Sequence, residues 1–293
     1  MSSSASASSS SPLVGIGWAL LSAFAFSTLG IFAKLAPSVG LTSETLLTWR
    51  FGIAALALFT LGFGRGVAWR ERLVMLAFGP IYTLQTALYF AALSRISAGT
   101  AALLLYLAPA FVVVYAWMLG RRPGAAQVGA VALTLVGLAV VIGLPSDSDR
   151  GASGLLLGVL TAMCYGAYLL GSERYLGRLA PFTVTAHVAL GATVGFGLLG
   201  AAQGRLDVPS SLEAWGVVVA CVIFPTLLAL PSLFAAISRL GAARASIIAT
   251  TEPVWTAVLA ALVLGEAWGT GLLVGGALIL LGAVLAQCPG RAR

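Results

Sequence analysis

The chain has 293 residues, of which 60% are apolar and only 9% charged, and it carries a formal net charge of +7. Soluble domains hold roughly 45–50% apolar and about 25% charged residues, so a water-exposed globule is excluded and lipid must be the solvent for most of the surface. Of the 16 Lys and Arg all but Arg50 sit at segment ends, and they form no clustered basic face with interleaved aromatics, which argues against a nucleic-acid partner.

Residues 1–11 are almost all Ser and Ala. With no positive n-region and no short apolar core, they predict a disordered tail and not a signal peptide. Apolar segments then follow at 12–35, 44–64, 73–94, 97–119, 125–144, 153–173, 182–203, 212–238, 241–264 and 268–287. Each is near the roughly 20 residues that span a bilayer, so the expected fold is all-α integral membrane with ten transmembrane helices. The connections are short and carry turn or charge signals, such as Arg121–Arg122–Pro123 and Pro145–Ser146–Asp147. No room is left for a soluble domain, and any function must lie inside the helical bundle. Cys164, Cys221 and Cys288 show no paired or metal-like spacing and read as small buried apolar residues.

Basic residues decide orientation, because Lys and Arg are retained on the cytoplasmic face. One set of connections holds eleven of them, including Arg65, Arg70, Arg121, Arg174, Arg239 and Arg244; the other holds Lys34, Arg95, Arg150 and Arg205. Both termini are therefore expected in the cytoplasm of a multi-pass protein.

An internal repeat divides the chain. Residues 89–111, YFAALSRISAGTAALLLYLAPAF, lie over 233–255, LFAAISRLGAARASIIATTEPVW, with Arg95 on Arg239 and Pro109 on Pro253. After a slip of one residue LTLVGL (133–138) lies over LILLGA (278–283), and more weakly Ser22 falls on Thr161 and Phe26 on Tyr165. The expected organisation is a tail (1–11) followed by two five-helix repeats, 12–146 and 147–293. Five is odd, so the second repeat enters the membrane in the opposite sense. Such inverted repeats are typical of secondary transporters with a solute site near the midplane.

The stretch AALLLYLAPAF in the fourth span and ASIIATTEPVWTAVLAALVLGE (245–266) in the ninth make the chain resemble the drug/metabolite transporter superfamily, EamA type, over about residues 12–287. Within it the chain is more loosely similar to YddG-like exporters of aromatic amino acids. The resemblance implies export of amino acids or related metabolites across a bacterial inner membrane, with no nucleotide-hydrolysing motor and no cofactor. One departure is Ala108 where Glu252 stands in the second half.

Ionisable groups at membrane depth are costly, by about 2.5–3.5 kcal/mol on insertion scales. Three stand out: Arg50, His187 and Glu252. Glu252 precedes Pro253, whose ring frees a backbone carbonyl; it is expected either to hold a substrate ammonium group or a proton, or to pair with Arg50 or the freed backbone. Arg50 either steers a carboxylate, or snorkels or pairs with Glu44. His187, the only histidine, reads first as a hydrogen-bonded helix contact.

Tyr82, Gln85 and Tyr89 form one stripe of the third span. Ser22 and Phe26 in the first, Thr161, Tyr165 and Tyr168 in the sixth, Tyr106 in the fourth and Trp255 in the ninth complete the expected substrate-binding set. Taken singly each fits packing as well as binding; together they favour a cavity that stacks an apolar or aromatic side chain. Pro80, Pro109, Pro225, Pro231 and Pro253 are candidate hinges. Pairs such as Gly154/Gly158, Gly191/Gly195 and Gly271/Gly275 permit close helix approach within one chain, so a monomer or weak homodimer is expected. No HExxH, GxSxG or Walker A pattern occurs, which weighs against an intramembrane enzyme and an ATP-driven pump. Nucleosides and sugars remain alternative solutes.

Overall fold

The computed structural model describes residues 12–96, 98–142, 152–264 and 270–286. The tail, Cys288, Gly265–Glu266, the 145–147 turn, Arg150, Arg291 and Arg293 lie outside the described residues. Regular structure among those described is helical throughout: α1 (Pro12–Leu35), α2 (Ser43–Thr60), α3 (Trp69–Leu93), α4 (Ala98–Leu105), α5 (Ala108–Met118), α6 (Ala125–Ile142), α7 (Ala152–Gly171), α8 (Pro181–Ala202), α9 (Leu212–Val222), α10 (Ala229–Leu240), α11 (Ala242–Ala249), α12 (Glu252–Leu264) and α13 (Thr270–Leu285). Six stretches are long and apolar enough to cross a membrane by length and composition. Large apolar side chains such as Leu56, Leu84, Val136, Leu198 and Val284 lie on the outside of the bundle, the inverse of a water-soluble surface.

Three of the ten expected spans are broken, and proline chemistry explains where. A proline lacks the N–H for the carbonyl four residues earlier and its ring crowds that carbonyl. Accordingly α4 ends at Leu105, four before Pro109, and α11 ends at Ala249, four before Pro253. The span at 212–238 instead widens into a π-helical turn, Ile223–Leu228. There the Cys221 carbonyl denied by Pro225 accepts the Thr226 hydroxyl at 2.8 Å. Pro80 makes no break: α3 runs through it. Its freed carbonyl, on Leu76, faces Gly191, where an added Cβ would lie 2.2 Å from that oxygen. Pro231, in the first turn of α10, is likewise accommodated without a break of its own.

Helix pairings follow the small residues. Helix α3 seats on α8 where Gly79 meets Gly191 and Ala192 and where Thr83 fills the space over Gly195; α7 meets α4 where Leu104 covers Gly158; and α6 meets α13 through Gly137, Gly275 and Gly282. All these glycines are filled by the same chain. In addition α1 packs on α10 as α7 packs on α3, and α1 lies along α11 and α12 as α7 lies along α4 and α5.

Contacts sort the connections to two ends. At one end Thr42 and Thr45 donate to the Arg205 carbonyl at 2.8 Å each, Trp49 Nε1 donates to the Asp207 carbonyl at 3.0 Å, and Glu44 pairs with Arg205 at 3.4 Å. At the other, Arg121 pairs with Glu173, Phe63 stacks on Phe182, and Gly15 abuts Leu240. This second end carries Arg65, Arg70, Arg72, Arg121, Arg122, Arg174, Arg178, Arg239 and Arg244.

Candidate functional site

Between the α4–α5 break, α7 and the α11–α12 break lies a small pocket. Tyr106, Pro109, Tyr165, Leu169, Ser246 and Glu252 are among its lining. Glu252 is the first residue of α12, placed there because Pro253 can occupy the first helical turn but cannot continue α11. Its carboxylate makes no hydrogen bond or ion pair with the described residues and keeps access to the pocket.

Behind Tyr165 the aromatic rings continue into the buried core. Tyr165 stacks on Tyr168 at 6.2 Å between centroids, Tyr168 meets the edge of Tyr82 at 5.9 Å and of Phe78 at 5.4 Å, and Tyr82 meets Phe51 at 5.5 Å. These are the offset and edge-to-face arrangements that ring quadrupoles favour. Several polar atoms here are buried without a partner among the described residues: Tyr168 Oη, Thr251 Oγ1 and Trp255 Nε1. Buried donors and acceptors are paired in the great majority of cases, and of these three Thr251 directly precedes Glu252 in the chain while Trp255 lies on α12 with it. No group of three or more His, Cys, Asp or Glu side chains comes together among the described residues.

The EamA-like transporter family matches this chain twice, over residues 13–143 and 152–287. The chain belongs to that family. An uncharacterized transporter of Archaeoglobus fulgidus is 26% identical to it over 270 residues, covering 91% of this chain and 94% of the relative. The threonine/homoserine exporter RhtA of Escherichia coli K12 is 26% identical over 261 residues, covering 88% and 83%. The uncharacterized inner membrane transporter YicL of Salmonella typhimurium is 24% identical, covering 94% and 95%. A solved crystal structure, at 24% identity, superposes with a TM-score of 0.77 over 96% of this chain and 98% of its own, and shows the fold alone.

Within this EamA-like transporter the expected site residues divide. Tyr82, Tyr168 and Tyr165 are linked ring to ring, and Tyr165 shares the pocket lining with Tyr106 and Glu252, whereas Tyr89 packs against a separate cluster of Ala92, Ile96 and Ala101; Gln85 is buried on the same helix as Tyr82 with no hydrogen bond to the described residues. Trp255 packs edge-on against Phe24 at 5.6 Å, so the partner on α1 is Phe24; Phe26 packs against the main hydrophobic core. Ser22 is a correction: fully buried, it donates to the Ala229 carbonyl at 3.0 Å and ties α1 to the start of α10. Thr161, also fully buried, turns back onto the Leu157 carbonyl of its own helix at 2.8 Å. A serine or threonine hydroxyl in a membrane helix readily satisfies itself in this way.

Arg50 is the larger correction. It neither snorkels nor pairs with Glu44 or Glu252: it is 0% exposed, its Nε donates to Thr226 Oγ1 at 2.6 Å and its Nη2 to the Pro225 carbonyl at 2.9 Å. The guanidinium therefore holds the π-helical turn, with Nη1 left without a partner. His187 is a helix contact, its Nδ1 lying 2.8 Å from the Thr183 carbonyl and its ring against Phe59. Sequence reasoning missed Phe24, Thr251 and Ser246. Ser246 on α11 and Thr250 just past its end stand one turn apart, a spacing that gives a weak polar signal beside the Glu-Pro pair.

Proposed function

We propose that this chain is a secondary transporter that exports small metabolites, amino acids above all, from the bacterial cytoplasm by alternating access. The observation that carries the reading is the free Glu252 carboxylate, facing a tyrosine-walled pocket at a helix break. It is suited to a substrate ammonium group, and the adjoining rings to an apolar side chain.

Each broken helix counts as one crossing in this reading, so the chain makes ten crossings in two inverted five-helix halves, 12–146 and 147–293. The two separate family matches, the common position of the proline breaks and the reciprocal packing of α1 on α10 and α7 on α3 support it. The arginine-rich end is placed in the cytoplasm by the positive-inside rule, as are both termini. Because the small-residue surfaces are filled from within the chain, a monomer suffices. Aromatic solutes are favoured by the Tyr82, Tyr165 and Tyr168 rings. Small hydroxylated amino acids form a second reading, supported by the printed activity of the RhtA relative.

The test is counterflow in liposomes holding the purified chain. Labelled phenylalanine, tryptophan, threonine and homoserine are compared with a nucleoside and a sugar, with and without a pH gradient. Exchange confined to amino acids supports the reading; exchange of nucleoside or sugar alone overturns it.

A further inference from the structure

A second pocket opens at the arginine-rich end. It lies along the same three elements as the Glu252 pocket: Val113 and Ala116 of α5, Leu170 of α7 and Ala243 of α11 line the outer one, while Pro109, Leu169 and Ser246 line the inner. Val113 is four residues from Pro109 and Ala243 three from Ser246, so about 5–6 Å of helix separates the two. Fully buried Val112 and Ala245 occupy that layer.

The outer pocket is charged asymmetrically. Arg121, Arg122 and Arg244 line it with a single acid, Glu173. Arg122 and Arg244 make no hydrogen bond or ion pair with the described residues. Glu173 is engaged twice: one oxygen pairs with Arg121, and the other accepts the backbone N–H of Ala242 at 2.8 Å. The second contact caps α11, because Gly241, at φ 79°, has no side chain to do so. An added Cβ would sit at ordinary contact distance, 3.5 Å, from Glu173 Oε2, so it is the positive φ and not crowding that favours glycine here. One carboxylate thus joins the end of α7, the start of α11 and the loop after α5, over the layer that closes the inner pocket.

We propose that the arginine-lined pocket is the entrance of the transport path, that it recognises a substrate carboxylate through Arg122 and Arg244, and that this group displaces Glu173 from Arg121 and Ala242 to let α7 and α11 part. The inference rests on the amino-acid export reading above. It assigns the two charged ends of an amino acid to successive stations, carboxylate first at the arginines and ammonium later at Glu252.

Accessibility to thiol reagents tests it without requiring transport. The full chain, with Cys164, Cys221 and Cys288 replaced by alanine, is placed in phosphatidylcholine nanodiscs carrying either Ala243→Cys in the outer pocket or Ala249→Cys in the inner one. The outer cysteine should react about tenfold faster with a sulfonate than with a trimethylammonium methanethiosulfonate, as expected for two unbalanced positive charges nearby. Arg122→Gln with Arg244→Gln should erase that preference, and phenylalanine or threonine should protect the site where their amides do not. Glu173→Gln should raise the rate at the inner cysteine about tenfold, two losses of the latch being compared; Arg121→Gln, which breaks it from the other side, should do the same.

Equal rates for both reagents, protection by the amides, or an unchanged inner rate in both latch variants overturns the proposal. So does protection given by phosphatidylglycerol in the disc and by no amino acid, which assigns the pocket to a lipid headgroup. Amino-acid counterflow without the labelling preference sinks this inference alone. The labelling pattern without any amino-acid counterflow sinks the export reading instead.

Discussion

The helix breaks before Pro109 and Pro253 are the same backbone device with different chemistry. Each helix stops four residues short of its proline and resumes one residue before it. Even the approach matches: Ser94 and Arg95 donate to the Ala91 carbonyl, and Ser238 and Arg239 donate to the Ala235 carbonyl. Yet the residue before the first proline is buried Ala108, and before the second it is Glu252 with its carboxylate free. At these two prolines the helix opens in the same way, and what differs is the side chain before each.

The sharpest way to break this contrast is Glu252→Gln. Losing a charged contact to a buried partner costs roughly 2–5 kcal/mol, so export should fall by about 30-fold or more. Thermal stability in detergent should hold, because the carboxylate forms no ion pair or hydrogen bond to lose. Normal uptake in liposomes would leave the two breaks functionally alike.

Next in size is the third opening, the π-helical turn held by Arg50. Thr226→Val removes the acceptor of Arg50 Nε and leaves the buried guanidinium only the Pro225 carbonyl, an effect of roughly 1.5–3 kcal/mol, read as a lower melting temperature. Arg50 and Glu252 make no contact with each other, so the double change Arg50→Gln with Glu252→Gln should be additive within about 0.5 kcal/mol. A larger coupling energy would mean that the two charges meet elsewhere in the transport cycle.

Ala108→Glu asks whether the first break can be given the chemistry of the second. Its site is filled, so overpacking should cost about 1–3 kcal/mol before any charge is buried, and the variant combined with Glu252→Ala should not recover export. Recovery would show the breaks to be interchangeable.

The smallest effect is expected at Tyr82, whose ring edge meets both Phe51 and Tyr168. Tyr82→Phe keeps the stacking and should leave export of aromatic solutes within about twofold, whereas Tyr82→Ala forfeits ring contacts worth about 0.5–1.5 kcal/mol each. Comparing phenylalanine with threonine uptake separates a lost solute contact from a general packing defect.

Proline breaks and the isolated acid were legible in the sequence because their physics is local: a missing N–H acts four residues away, and a charge at membrane depth has few neighbours to hide it. Long-range partners were not legible. Ser22 is spoken for by Ala229 and Arg50 by the Pro225–Thr226 turn, and nothing in the sequence around Ser22 or Arg50 states those pairings. Glu44 looked available to Arg50, but it faces Arg205 across the opposite end of the bundle. The tyrosine stripe was read correctly as one face of a helix, while the pocket it adjoins depends on how α7 and α11 approach, which spacing along α3 cannot express.

The seam between α3 and α8 has a consequence for biosynthesis. Gly79 and Gly191 bring backbone against backbone, so neither surface has any other way to fill its groove. They are 112 residues apart in the sequence, and at roughly 5–20 residues per second the ribosome delivers the second about 6–20 s after the first. During that interval the Gly79 groove faces lipid, and a chain that stalls before α8 keeps it there.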